Sequence, residues 1–171
     1  NGVSPPDAEA IFSHGQGLFN EGKLIEAIED FDDVIRSNRY HSRVYMYRGE
    51  ARRELGNLPG AVTDLRTAVD MGRSTEWAHQ AYTLLGNCLL EDGNNDDAIE
   101  HLKHAMVLER DYQPAISILA DAYYARGLDR SEKGRFGEAI EDFDAALALN
   151  PNHTDAYEKK GIAQHKLEDN M

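Results

Sequence analysis

Apolar residues recur along this chain at helical spacing, and glycines punctuate them. Ile11, Gly15 and Leu18 fall on one stripe of a first helix that runs to about Asn20. Glu21-Gly22-Lys23 breaks it, because glycine takes up the left-handed backbone that ends a helix. A second helix is predicted from Leu24 to Ser37. It buries Ala27, Ile28, Phe31, Val34 and Ile35, and Glu26, Glu29, Asp30, Asp32 and Asp33 occupy its outer face and first turns. Upstream, Ser4-Pro5-Pro6-Asp7 reads as a helix start, with a serine cap, a proline in the first turn and an acid near the positive end of the dipole.

The hexapeptide Glu26-Ala27-Ile28-Glu29-Asp30-Phe31 is nearly rewritten at Gly60–Leu65, Asp97–Leu102 and Glu138–Phe143. Gly15, Gly49 and Gly86 each stand twelve residues before the alanine of the first three copies. The step from Gly15 to Gly49 is 34 residues, and from Gly49 to Gly86 it is 37. A period of this size marks stacked helix pairs, each covering an apolar face that its neighbour cannot bury alone. The three extra residues in the second step lie near Met71 to Trp77, and Trp77 is expected to cover that junction. In the fourth pair Ile116, Leu119, Ala120 and Tyr123 keep register with the third, yet Ala139 arrives seven residues late. Gly127 and Gly134 both fit the break between its helices. Seven residues is close to two turns and nearly preserves the phase of a face, so one long helix is predicted from about Tyr112 to Lys133. The alternative is a helix that stops at Gly127 before a mobile loop. The last helix, Thr154 to Glu168, is either a polar cap or the first half of a fifth pair.

Composition adds limits. The chain has 171 residues, 41% hydrophobic and 29% charged, which is too apolar for disorder. Its net charge of −13 disfavours binding to nucleic acid. Charge is uneven, however. Arg36 to Arg73 holds eight basic and four acidic residues, including Arg39, Arg43, Arg48, Arg52 and Arg53. That stretch reads either as solvated surface or as a steering patch for an acidic segment of a partner. The single cysteine, Cys88, excludes an intrachain disulfide and reads as a small buried hydrophobe. No run approaches the roughly 18 apolar residues of a membrane span, and no charged-then-apolar leader is present. The first residue is Asn1 and not methionine, so the sequence reads as a fragment or a processed product, with a cytoplasmic location as the default.

Taken together, these residues resemble the tetratricopeptide repeat. Gly15, Gly49 and Gly86 match its glycine, with Ala120 in the fourth place. All four copies keep the alanine of the second helix; Phe31 and Phe143 match the phenylalanine, Leu65 and Leu102 replace it, and Pro151 matches the terminal proline. The resemblance covers about residues 8–168, read as one domain with repeats at about 8–41, 42–75, 79–112 and 113–153 and a helix at about 154–168. The fourth repeat carries the seven-residue insertion in its first helix. The resemblance implies an all-α, right-handed superhelical solenoid of antiparallel helix pairs, whose first helices line a concave groove for an extended peptide or a partner helix. It implies a scaffold or adaptor with a protein partner, without cofactor, membrane insertion or catalysis.

By the same resemblance the groove is expected at Glu9, Phe12, Gln16 and Phe19 in the first repeat, and at Arg43, Met46, Glu50 and Arg53 in the second. The third offers Gln80, Thr83, Asn87 and Leu90, and the fourth Ser117, Asp121 and Tyr124. Asn87 leads, since an amide both donates and accepts and can pair a peptide unit. One subfamily grips chaperone C-terminal carboxylates with lysines, asparagines and an arginine. Phe12, Gln16, Glu50, Thr83 and Asn87 stand in those places here, and only Asn87 is chemically close, so a dicarboxylate clamp is not expected.

Other signals are weaker. Gly15-Gln16-Gly17 lacks both the spacing and the preceding strand of a nucleotide-binding loop. His101 and His104 share a helix face but lack further metal ligands in sequence. Asn152-His153-Thr154 is a glycosylation acceptor only in a lumenal or secreted chain. No nucleophile, base and orienting group can be assigned from spacing. The expectation is therefore a peptide- or helix-binding module. The alternatives are a targeting or regulatory part of a larger enzyme or complex, and a self-associating structural module.

Overall fold

The computed structural model describes residues 8–39 and 41–169, so the helix start expected at Ser4–Asp7 lies outside the described residues. Nine helices are found there, with no strand: α1 (Ala8–Asn20), α2 (Leu24–Ser37), α3 (Ser42–Glu54), α4 (Leu58–Gly72), α5 (Ala78–Glu91), α6 (Asn95–Leu108), α7 (Gln113–Glu132), α8 (Phe136–Leu149) and α9 (Thr154–Asp169). Gly22, Gly56, Gly93 and Gly134 have φ between 74° and 79° and close the turns within the four pairs. A side chain is strained at such angles, which is why glycine recurs there. The chain divides into two compact units, one ending at Cys88 and the other beginning at Leu89, within α5.

In the first unit α1 packs on α2, α2 on α3, and α3 on α4. Phe31 and Val34 of α2 and Val44 of α3 are buried with Phe12, and Ile11, Leu18 and Ile35 pack against them. Gly15 lets α1 approach α2: a Cβ built there would lie 2.8 Å from Phe31 Cε1. At Gly49 the same atom would lie 2.8 Å from Leu65 Cγ. Trp77 is buried and lies against Gly72, where an added Cβ would meet its ring at 2.3 Å, so the longer junction is filled by the indole.

In the second unit α6 packs on α7, α7 on α8, and α8 on α9. The long α7 runs without interruption through Gly127 to Glu132, and Gly134 makes the break. Its register differs from the expectation. A Cβ at Gly127 would lie 2.7 Å from Phe143 Cε1, so Gly127, and not Ala120, holds the place of Gly15 and Gly49. Phe31, Leu65 and Phe143 each follow their glycine by sixteen residues. Ring geometry repeats too: Phe12 stands 6.0 Å from Phe31 and 4.6 Å from His41, and Tyr124 stands 5.9 Å from Phe143 and 4.6 Å from His153. The seven additional residues therefore extend α7 at its N-terminal end.

Buried ion pairs recur on the same frame. Asp64 accepts hydrogen bonds from Arg48 Nε (2.8 Å), Arg48 Nη2 (2.6 Å) and Arg52 Nη1 (2.7 Å). Arg48 also donates to Asp32 of α2 at 2.5 Å. In the second unit Arg126 Nε and Nη2 donate to Asp142 at 3.0 and 2.7 Å, and Arg130 Nη1 lies 2.9 Å from the same carboxylate. The hydrogen bonds to Asp142 come first in holding the Arg126 guanidinium above its usual pKa, against the opposing effect of burial. In the first pair the same position is the exposed His14–Asp30 contact, at 2.6 Å.

Candidate functional site

The face of α1 and α3 in the first unit carries Glu9, Gln16, Phe19, Arg43, Glu50 and Arg53 of the side chains expected to bind. Residues 43, 46 or 47, 50 and 53 form one stripe of α3, at three- and four-residue steps. Tyr47, which sequence reasoning missed, is the centre of this face. It packs edge-on against Phe12 (5.6 Å, 76°) and Phe19 (5.9 Å, 85°), and stands 6.0 Å from Phe31. The Arg43 guanidinium lies over its ring, 5.8 Å from the centroid. Arg43 Nε is buried and has no hydrogen-bond partner among the described residues. Such a donor is costly to leave unmet in the absence of an acceptor. Glu50 is half-buried; burial first, and the neighbouring Glu54 charge second, push its carboxyl pKa up, while Arg53 pulls it down. Gln16 and Phe19 are half-buried on α1.

Three expected contacts are corrected. Phe12, Met46 and Thr83 are buried and present no surface to a partner. Each sits three residues before the glycine of its pair, a position that turns into the packing between helices. Phe12 instead positions Tyr47, and the Thr83 hydroxyl donates to the carbonyl of His79 at 2.8 Å. Tyr124 occupies that same position by the observed register and is packed between Phe143 and His153. Ser117 is exposed on the added turns of α7. Asp121 is exposed and takes the place equivalent to Glu9, Arg43 and Gln80. Leu128 and Ser131, both half-buried, take the later places that had been given to Asp121 and Tyr124. The signal for them was the sixteen-residue step from Gly127 to Phe143. Gln80 and Asn87 are half-buried on the part of α5 in the first unit, and Leu90 is half-buried on the part in the second.

Much of the basic stretch is engaged internally. Arg48 and Arg52 hold Asp64, Arg36 pairs with Asp33, and Arg73 Nη2 donates to Asp70 at 2.7 Å. Among the described residues no group of three or more His, Cys, Asp or Glu is placed to hold a metal, and no helix is long and apolar enough to cross a membrane.

Paired helices, glycine crossings filled by Phe or Leu, and a repeat near 34 residues define a class of helical-repeat proteins that serve as interaction scaffolds. Models of the tetratricopeptide repeat match residues 12–76, 79–112 and 120–153, and the chain belongs to that family. Gly86 and Gly127 are each the eighth residue of their match, which agrees with the register set by Phe143. Tetratricopeptide repeat protein 16 of Mus musculus is 29% identical over 159 residues, covering 86% of this chain and 19% of that protein. The Homo sapiens protein of the same name is 27% identical over 86% of this chain and 17% of its own length. The chain thus spans under a fifth of the curated relatives it matches. Among solved structures, the MamA protein superposes with a TM-score of 0.69 at 22% identity, over 94% of this chain and 82% of that one. YrrB, a TPR protein with an unusual peptide-binding site, gives 0.66 at 23%, over 90% and 74%. These likenesses show the fold.

Proposed function

We propose that this protein is a non-enzymatic scaffold that binds an extended peptide or a helix of a protein partner, and that the α1–α3 face makes the contact. The observation that carries the reading is Arg43. Its guanidinium carbon lies 5.8 Å from the centroid of the Tyr47 ring, and among the described residues its buried Nε has no acceptor. A peptide carbonyl or carboxylate laid along α3 would pair with this half-buried guanidinium. Gln16 can pair a backbone amide, Glu50 can accept from a donor, and Phe19 gives an apolar edge beside Tyr47. Asn87 extends the same chemistry on α5. Arg53, Leu90, Asp121, Leu128 and Ser131 are the corresponding positions farther along the chain.

Phe12 and Thr83 are buried at two of the places where a dicarboxylate clamp needs polar groups, and Glu50 would repel a carboxylate at a third. The partner is therefore read through backbone and mixed side chains, with any acidic group directed to Arg43. The test is a peptide array of overlapping 15-residue segments probed with the parent protein and with an Arg43→Glu variant of unchanged melting temperature. Peptides held by the parent and lost by the variant support the reading. Equal binding of every peptide by both proteins rejects the α1–α3 face.

A further inference from the structure

The second unit carries another surface, built from α6, α7 and α8. At 1.5 Å per residue α7 spans about 30 Å and α8 about 21 Å, so about 9 Å of α7 runs past the end of α8. Just inside that overhang, the last turns of α6 and α8 flank α7, and a cleft of about 750 Å³ opens between them. Its floor is Leu119 and Tyr123 of α7; its walls are Met106 and Val107 of α6 and Ala148 and Leu149 of α8. Val107 is 82% exposed.

The charged residues lining the cleft are both cations, Lys103 and Arg110, in a chain of net charge −13. Lys103 Nζ lies 5.5 Å from the centroid of Tyr123. At the equivalent position α2 carries Asp32, which Arg48 binds; on α6 the sign is reversed. Lys103 lies on α6 and Arg110 two residues past its end at Leu108, and in sequence they bracket Met106 and Val107.

We propose that this cleft docks an amphipathic helix of a partner protein, with two bulky apolar residues in the cleft and one carboxylate toward each cation. An occupant that mirrors this order places its apolar pair between its two acids. The occupant's pattern is then acid, two residues, two apolar residues, two residues, acid, of the type Glu-x-x-Leu-Leu-x-x-Glu. This is recognition of a helix in a groove, on residues not shared with the α1–α3 face, so the two readings stand or fall separately.

The experiment is fluorescence anisotropy of a labelled 16-residue helical peptide carrying that pattern, titrated with the parent protein, with Val107→Glu, and with the double variant Lys103→Glu/Arg110→Glu. Both changes are on exposed side chains, and unchanged melting curves confirm folding. The parent is expected to bind saturably, Val107→Glu about tenfold or more weaker, and the double variant to prefer a peptide with lysines in place of the glutamates. Four results would overturn the proposal. These are no saturable binding by the parent, equal binding by Val107→Glu, equal parent affinity for the charge-reversed peptide, and self-association of the parent that Val107→Glu abolishes while the peptide stays unbound.

Discussion

Truncation of Asp64 to alanine should be among the most damaging single polar changes in the first unit. The carboxylate is 3% exposed and accepts three charge-assisted hydrogen bonds from Arg48 and Arg52. Removing one partner of a buried pair costs about 3–5 kcal/mol, because the remaining charge stays desolvated. Arg48 keeps Asp32, and both guanidiniums reach some water, which brings the expected loss to about 2–3 kcal/mol. For a chain of this size that is a fall of roughly 5–10 °C in melting temperature. The internal control is Asp30, the same repeat position in the first pair. There the side chain is 22% exposed and its partner His14 is 70% exposed, so Asp30→Ala should cost under about 1 kcal/mol. Urea unfolding followed by helical circular dichroism gives both values. If Asp64→Ala costs no more than Asp30→Ala, burial is not what makes the clasp matter. A double variant, Asp64→Leu/Arg48→Met, should recover part of the loss, since it removes both charges together.

Two further changes follow from the same geometry. Gly127→Ala should destabilise by about 1–3 kcal/mol, because its Cβ collides with the fully buried Phe143. Gly161→Ala on α9, with nothing within 4 Å, should stabilise by about 0.5–1 kcal/mol through helix propensity. Similar effects at both sites in thermal unfolding would contradict the register assigned to α7. Glu50 has a folded-state pKa raised above its unfolded value, so its ionisation costs the folded state. The cost is absent below the unfolded pKa of about 4.3 and complete above the folded one. Glu50→Gln should therefore raise the melting temperature at neutral pH and leave it unchanged in strong acid; an equal gap at both ends would refute the shift.

Helix pairs were readable because Gly15, Gly49, Ala27, Ala61, Phe31 and Phe143 must be small or large at fixed steps for axes to approach. The boundaries of α2 followed from Gly22 and from the polar run after Ile35. Counting forward from Gly86 led to Ala120 instead of Gly127 because residues seven apart share a helix face, and both are small. The sixteen-residue step from Gly127 to Phe143 separates them, and the contact between the two agrees with it. Burial at Phe12, Met46 and Thr83 was not legible either. An aromatic, a thioether and a hydroxyl are each at home on a binding face or in a core, and the neighbouring helix decides. Tyr47 was missed because it lies off the repeat pattern, at a place where the fourth pair has Ala125.

Arg48 touches the acid of its own pair and the acid of the pair before it. Lys160 of α9 likewise lies 2.6 Å from Asp144 of α8, sixteen residues earlier, as Arg48 does from Asp32. These pairs look like copies, yet they are not interchangeable parts. Exchanging the first two would set Arg48 beside whatever precedes it and strand Asp32 against Leu85, the residue before Gly86. The cations thus act as a grammar for the array, tolerating changes within a repeat more readily than changes in the order of repeats.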